Sequence, residues 1–207
     1  MTHSLHRLGT KENLSRDYPL ICMAAHGMNE EGAADKMGKF LEICRRHGPV
    51  NFGDMKQGNV FVHDADDIIR NITNTTLVQC VFDDVKKVEA VLHDLREADL
   101  GLSVVVSGLI DETKKCCQKV GLEIHTVSQS LGIWGKTSRL PSREILEITT
   151  MCGHGLTSSG LVEKMIEDIR KGKTSPQKAS EKLAKPCVCG IFNTTRAAEL
   201  LATAAAE

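Results

Sequence analysis

Residues 76–82 read Thr-Leu-Val-Gln-Cys-Val-Phe, and residues 102–110 read Leu-Ser-Val-Val-Val-Ser-Gly-Leu-Ile. Both are apolar runs of strand length bounded by turn residues. Between them Val85, Val88, Leu92 and Leu95 recur at the spacing of one helix face, and Gly101 ends that helix. The stretch is therefore strand–helix–strand. Downstream, Asp111 is placed to cap a short helix to Val120, which Gly121 stops, and residues 123–127 read as another strand. Upstream, residues 18–25 (Tyr-Pro-Leu-Ile-Cys-Met-Ala-Ala) read as a short buried strand. Asn29 can cap the helix that follows, with Ala33, Met37, Phe40, Leu41 and Cys44 on one face and Gly48-Pro49 at its end. Residues 49–59 are rich in Gly, Pro and Asn and read as a loop. The alternation specifies an α+β domain, a ferredoxin-like α/β sandwich, with the segment before residue 75 adding a strand and a helix.

From Ser142 onward the periodicity is helical only. Ser142 can cap a helix carrying Ile145, Ile148 and Cys152 on one face. Thr157 or Ser158 can cap a second, striped by Leu161, Val162, Met165, Ile166 and Ile169 and ended by Gly172. Ser175-Pro176 is a well-formed start for a third, which carries Ala179 and Leu183 and stops at Pro186. Asn193 can cap a last helix through Leu201. The expected organisation is a polar arm over residues 1–17, an α/β domain over 18–140 and a small all-helical domain over 141–207. The boundary falls in the Gly132–Pro141 stretch, where Trp134 is expected to pack between the two domains.

Bulk properties narrow the functional classes. Of 207 residues, 41 % are hydrophobic and 26 % charged, the balance of a soluble globular chain. The formal net charge of −1 and the scarcity of aromatic residues argue against a nucleic-acid-binding surface. No apolar run approaches the ~20 residues that span a bilayer, and residues 1–7 lack the apolar core of a signal peptide. A cytoplasmic protein is expected, with no membrane and no nucleic acid among its partners. In a reducing compartment eight cysteines are buried small apolar residues or metal ligands, not a disulfide framework.

Position separates those two roles. Residues 151–155 read Met-Cys-Gly-His-Gly and residues 186–190 read Pro-Cys-Val-Cys-Gly. Two antiparallel helices joined near residues 172–175 return the chain to its starting point, so Cys152 becomes a neighbour of Cys187 and Cys189. Flanking Gly153, Gly155 and Gly190 permit close backbone approach and leave amides for sulfur.

This arrangement resembles the helical [2Fe–2S] domain of the molybdenum hydroxylases, the xanthine dehydrogenase and aldehyde oxidoreductase group. That domain carries Cys-Gly-x-Cys at a helix end, then a helix pair, then Cys-x-Cys-x-Gly opening another helix. Here Cys152-Gly153-His154-Gly155 and Cys187-Val188-Cys189-Gly190 occupy those places, and Arg196-Ala197-Ala198 lies in the closing helix. The likeness covers residues 143–203. The second cysteine of the first motif falls at Gly155, so the resemblance carries over Cys152, Cys187 and Cys189 only. It implies an iron–sulfur cluster, [2Fe–2S] in preference to [4Fe–4S]. The fourth ligand is open between His154, which is preferred because imidazole replaces thiolate in some such centres, a cysteine of the N-terminal domain, and none, which would leave an iron open for substrate. A Cys₃His zinc site uses the same donors. The expected role is electron transfer or redox chemistry with a redox partner protein or a small molecule, and homodimerisation is compatible with it. The alternatives are a ligand-binding or regulatory α/β module without a cluster, and a structural zinc protein.

Other candidates have blander readings. Cys22, Cys44 and Cys80 lie on apolar faces, and of Cys116-Cys117 one thiol faces the core. Cys22 with His26 could receive a small anion at a helix start. His3 and His6 could bind metal, and residues 63–67, His-Asp-Ala-Asp-Asp, a divalent cation, although a capped helix start is the preferred reading of the latter. Residues 130–137 lack phosphate-loop spacing and read as an interdomain turn.

Overall fold

The structure, a computed structural model, describes the backbone of residues 3–207 and side chains from Ser4 onward. In chain order the elements of the first half are α1 (Lys11–Leu14), β1 (Tyr18–Met23), α2 (Ala33–Arg46), β2 (Asn51–Asp54), β3 (Gly58–Asn59), α3 (Ala65–Arg70), β4 (Leu77–Phe82), α4 (Val85–Ala98), β5 (Ser103–Val106) and α5 (Ile110–Lys119). The second half holds α6 (Arg143–Thr149), α7 (Ser159–Arg170), α8 (Pro176–Ala184) and α9 (Thr194–Ala206). The architecture is mixed helix and sheet, as the α+β reading expects.

The five strands form one sheet in the order β3-β2-β4-β1-β5, and every neighbouring pair is antiparallel. β4 is thus inserted between β1 and β2, the strands that α2 connects. The register aligns Phe52, Cys80, Leu20 and Val106 across one face. That face joins Met37, Phe40, Leu41 of α2 and Val88, Val91, Leu92 of α4 in a single buried cluster. Cys22, Cys44 and Cys80 lie fully buried in it, so the packing reading of those thiols stands.

The opposite face aligns Gly53, Gln79, Ile21 and Val105. Ile21, Gln79, Val81 and Asn51 are buried there, against the second half of the chain. Asn51 Nδ2 donates to Phe192 O at 3.2 Å, and Asn59 Nδ2 donates to the carbonyls of Ala184, Lys185 and Cys187 at 3.1, 3.3 and 2.9 Å. The residue 187–190 turn presses its backbone onto β2. A Cβ on Gly190 would stand 2.2 Å from the carbonyl carbon of Phe52, and one on Gly53 would stand 3.1 Å from Val188 O. This contact explains why residues 51–59 form strands where the sequence reads as a loop. Glycine and asparagine are poor strand formers, but here glycine admits a second backbone and asparagine satisfies its carbonyls.

Four further expectations are corrected. α2 begins after Gly32, not Asn29. Asn29 instead accepts from Ala25 N at 2.7 Å and donates to Gly101 O at 2.7 Å, tying the loop to the end of the α4–β5 turn. The β5 strand ends at Val106, and α5 starts after Leu109 with no side-chain cap, so Asp111 lies inside its first turn. Residues 123–127 form no strand, since β5 takes no partner beyond β1. Trp134 is 81 % exposed and donates to Leu131 O at 3.2 Å, so it does not pack between halves.

Residues 4–17 are no free arm either. Arg7 contacts Asp17 and reaches Met151 O and Ile191 O, and Leu8 N donates to Thr150 Oγ1 at 3.0 Å. In the second half the helix starts form much as the residues indicate. Ser158 caps α7, Ser175 caps α8 with Pro176 in its first turn, and Asn193 caps α9. Ser142 precedes α6 but its side chain makes no cap hydrogen bond. Among the described residues no helix is long and apolar enough to cross a membrane.

The backbone-to-backbone contact at Gly190 is testable. Its φ of +79° already disfavours any side chain, and the added carbon has nowhere to go. Gly190→Ala is expected to lose about 3–5 kcal/mol, at the upper end of single-substitution effects. Gly155→Ala shares the left-handed φ (+70°) but opens onto free space, and its expected cost is about 1–2 kcal/mol. Urea unfolding of both variants checks the ranking, and equal midpoints would show that the Gly190 contact carries no special strain.

Candidate metal centre

The helical hairpin brings the two cysteine motifs together. α7 and α8 run between them, and Cys152, Cys187 and Cys189 are all buried in the core of the second half with Met151, Val162, Leu183 and Phe192. Cys152 lies just beyond α6, on a turn closed by Gly155 N donating to Cys152 O at 2.9 Å. Cys187 follows α8 directly, with its N–H on Ala184 O at 3.0 Å, and Gly190 N returns to Cys187 O at 3.0 Å. Thr157 Oγ1 donates to Leu183 O at 3.0 Å and so locks the start of α7 against the end of α8.

The four residues singled out by sequence form a string of contacts. Cys152 and Cys187 lie in the same buried cluster, and each shifts the ionisation of the other. Cys187 Sγ lies 3.9 Å from Cys189 Sγ, and Cys189 Sγ lies 3.8 Å from His154 Nδ1. His154 alone of the four is exposed. The string is not a shell around one point: among the described residues no group of three or more His, Cys, Asp or Glu side chains stands ready to hold a metal ion.

The glycine amides do not serve as the spacing suggests, because Gly155 and Gly190 spend theirs inside their own turns. The backbone amides that favour the charged sulfur are those of Thr157 and Leu156 at Cys152 and of Ile191 at Cys189. The three thiols differ in consequence. The hydrogen bond with Cys187, then burial, push Cys152 well above the usual thiol value. Cys187 is pulled down by its bond with Cys152, but the bond with Cys189 and burial outweigh this and carry it up to about 12. Cys189 is lowered, first by the hydrogen bond from Cys187 and further by the Ile191 amide and the Arg7 charge, against the cost of burial. Of the three, Cys189 is the thiol whose surroundings favour ionisation, and the thiolate is the form that acts as nucleophile or metal ligand. Three sulfurs and an imidazole are soft and borderline donors, a set suited to iron–sulfur clusters and zinc.

Sequence reading misses the residues that hold this string in place. Arg7, Asp17 and Arg196 form a buried ion network, with side chains 5 %, 0 % and 1 % exposed. Arg196 Nη1 meets Asp17 Oδ2 at 2.7 Å, and Asn193 Nδ2 donates to Asp17 Oδ1 at 3.1 Å. Burial pulls Arg196 below its ordinary value while Asp17 opposes this. Asn59 satisfies the open carbonyls at the end of α8, next to Cys187. Nothing in the local sequence pattern marks these roles, since charged and polar residues look the same whether water or a distant segment surrounds them.

The remaining candidates do not gather into sites. Cys22 is raised to about 12 by burial, while His26 is exposed and pairs with Glu30 at 2.6 Å. Asp64 caps α3 through the amides of Asp66 and Asp67, the preferred reading of that acidic run. His6 Nδ1 meets Ser130 Oγ at 3.0 Å, and the His3 side chain lies outside the described residues. Cys116 is buried and Cys117 half-buried, one in and one out. No protein-family model, curated protein or solved structure matches the chain.

Replacing Asn59 tests the platform under the Cys187 turn. Asn59→Ala removes the side-chain donor shared by the carbonyls of Ala184, Lys185 and Cys187, and the expected loss is about 1–3 kcal/mol. It should also speed the labelling of Cys187 by a thiol reagent under native conditions. Mass-spectrometric labelling rates together with urea midpoints read both effects, and unchanged values for both would contradict the role.

Proposed function

We propose that this chain is an iron–sulfur protein whose cluster is held by Cys152, Cys187 and Cys189, with His154 as fourth ligand. One observation carries the reading: residues 35 positions apart, His154 and Cys189, stand 3.8 Å apart at the solvent end of a buried string of thiols. Packing alone gives no reason for a thiol at the end of such a string to meet an imidazole at the surface. The donor chemistry fits the group, since thiolate and imidazole are the ligands of [2Fe–2S] centres. The order of motifs, similar to that of the helical cluster domain of the molybdenum hydroxylases, favours [2Fe–2S] over [4Fe–4S]. When bound, the cluster supplies a one-electron redox couple.

Within this reading the chain divides near residue 140. The N-terminal α/β unit is a ferredoxin-like sandwich, consistent with β4 lying between β1 and β2. It serves as the platform for the cysteine turns and as the surface for a redox partner protein or small molecule. The chain's own residues do three things for the cluster. Thr157, Leu156 and Ile191 offer amides to sulfur, Asn59 fixes the Cys187 turn, and the hydrophobic second core keeps water from the inner sulfurs. A cytoplasmic, reducing setting suits free thiols of this kind.

Anaerobic purification and reconstitution test the reading. The expected product is brown, with near-stoichiometric iron and acid-labile sulfide. Protein that stays colourless and binds neither after reconstitution overturns it, and stoichiometric zinc without sulfide assigns the site to structural zinc instead. His154→Cys converts the ligand set to four thiolates and is expected to lower the midpoint potential, because imidazole ligation raises it. An unchanged potential in the loaded variant would remove His154 from the ligand set.

A further inference from the structure

We infer that the loop around Trp134 is a membrane-surface anchor: Leu131, Ile133 and Trp134 enter the interface of an anionic lipid bilayer, and Lys136 and Arg139 meet its phosphate headgroups. The inference is independent of the cysteine site and of what that site binds.

Among the described residues ten large apolar side chains are exposed, and six of them, Ile124, Val127, Leu131, Ile133, Trp134 and Leu140, fall between residues 124 and 140. Every residue from Glu123 to Leu140 is exposed, and no helix or strand forms over residues 122–136. Apolar residues scattered singly on a surface need no explanation, but a run of them marks an interaction surface. A loop of this length without secondary structure is uncommon inside a compact chain unless it serves a function.

The tip of the loop stands clear of the body. Leu131 is 85 %, Ile133 50 % and Trp134 81 % exposed, and a Cβ at Gly132 or Gly135 would meet nothing within 4 Å. The tip nonetheless has a shape of its own. Gly132 N donates to Ser130 Oγ at 3.2 Å, and Trp134 Nε1 donates to Leu131 O at 3.2 Å. A tryptophan that leaves water normally needs a partner for its N–H. Here the tip carries that partner with it, so the ring can be desolvated without stranding a donor. The open backbone of an irregular loop cannot enter hydrocarbon, which limits insertion to the interface, the depth that tryptophan favours.

Charge selects the kind of surface. No carboxylate lies between Glu123 and Glu144, whereas Lys136, Arg139 and Arg143 follow the tip directly. Glu147 engages Arg143 at 3.1 Å, but Lys136 and Arg139 are exposed and pair with no carboxylate among the described residues. An apolar tip followed by unopposed cations is complementary to hydrocarbon lying beneath a layer of phosphate. A protein groove would have to supply walls around side chains that project without any, whereas a bilayer requires no matching shape. The absence of a membrane-crossing helix among the described residues bears on spanning, not on attachment to a surface.

Trp134 is the one tryptophan of the chain, so its emission reports on the tip alone. The full chain is mixed with vesicles of phosphatidylcholine alone or of an equal mixture with phosphatidylserine, and binding is read by co-sedimentation and by tryptophan emission. The anionic vesicles are expected to shift the emission to the blue and to bind about tenfold more tightly than the neutral ones, with salt weakening the difference. Trp134→Ala is expected to weaken co-sedimentation about tenfold, and Lys136→Gln with Arg139→Gln to remove most of the preference for anionic lipid. All three positions are exposed, so the variants are expected to keep the urea midpoint of the unsubstituted chain. Emission that does not move with anionic vesicles overturns the inference. So does binding that Trp134→Ala leaves unchanged, since another surface then makes the contact, and equal binding to both kinds of vesicle overturns the role of the two cations. A blue shift that grows with protein concentration in the absence of vesicles also overturns it, and assigns the tip to contact with a second copy of the chain.

Discussion

The buried Arg7–Asp17–Arg196 network is the constraint on which the rest of the molecule depends. It joins the N-terminal segment, the start of β1 and the first turns of α9, three pieces far apart in the chain. Each charge is almost fully removed from water, so each is tolerable only while its partners stay in place. Asn13 and Asn193 complete the geometry, with Asn13 Oδ1 accepting from Arg196 Nη2 at 2.9 Å. A hydrophobic contact tolerates a slip of an ångström, but a shared carboxylate between two guanidinium groups does not. The network therefore fixes the angle at which the helical half meets the sheet, and with it the position of residues 189–193 over β2.

The sheet is built to receive that half. Its two faces are both buried but differ in character. One is an ordinary apolar face under α2 and α4. The other is lined by Asn51, Gly53, Gln79 and Ile21, a mixture that would be a poor core by itself. Its asparagines donate to backbone carbonyls. Asn51 and Asn59 answer the carbonyls of residues 184–192, and the two glycines let main chain lie against main chain. A tight turn that displays two cysteine side chains has many unpaired carbonyls, and burying it requires donors that a purely aliphatic surface does not offer.

Whether an element is legible in the residues alone depends on where its partners lie. The helix α4 is legible because Val88, Leu92 and Leu95 face a core on one side only, so periodicity and burial coincide. The helices of the second half are legible through their caps, with Ser158, Ser175-Pro176 and Asn193 all at helix starts. The convergence of Cys152, His154 and the Cys187/Cys189 pair follows from the helical hairpin, since two helices of similar length return the chain to its origin. β2 and β3 are illegible because their residues answer to a distant backbone instead of to strand propensity. The 123–127 segment fails in the opposite sense: its pattern is strand-like, but the sheet offers it no edge partner. Arg7 and Asp17 are invisible because a charged residue in a polar N-terminal stretch has the same local pattern whether water or a distant helix surrounds it.

The same constraint gives the cysteine site its direction. Cys152 and Cys187 lie inside, both resistant to ionisation. Cys189 sits between them and His154, and it is the sulfur whose charge is favoured by the surrounding donors and by Arg7. His154 stands at the surface on the Gly153–Leu156 turn, which is itself exposed. The three thiols are all buried, Cys189 is the one whose surroundings favour ionisation, and the imidazole alone is exposed. A molecule approaching from solvent meets the imidazole before any of the three thiols.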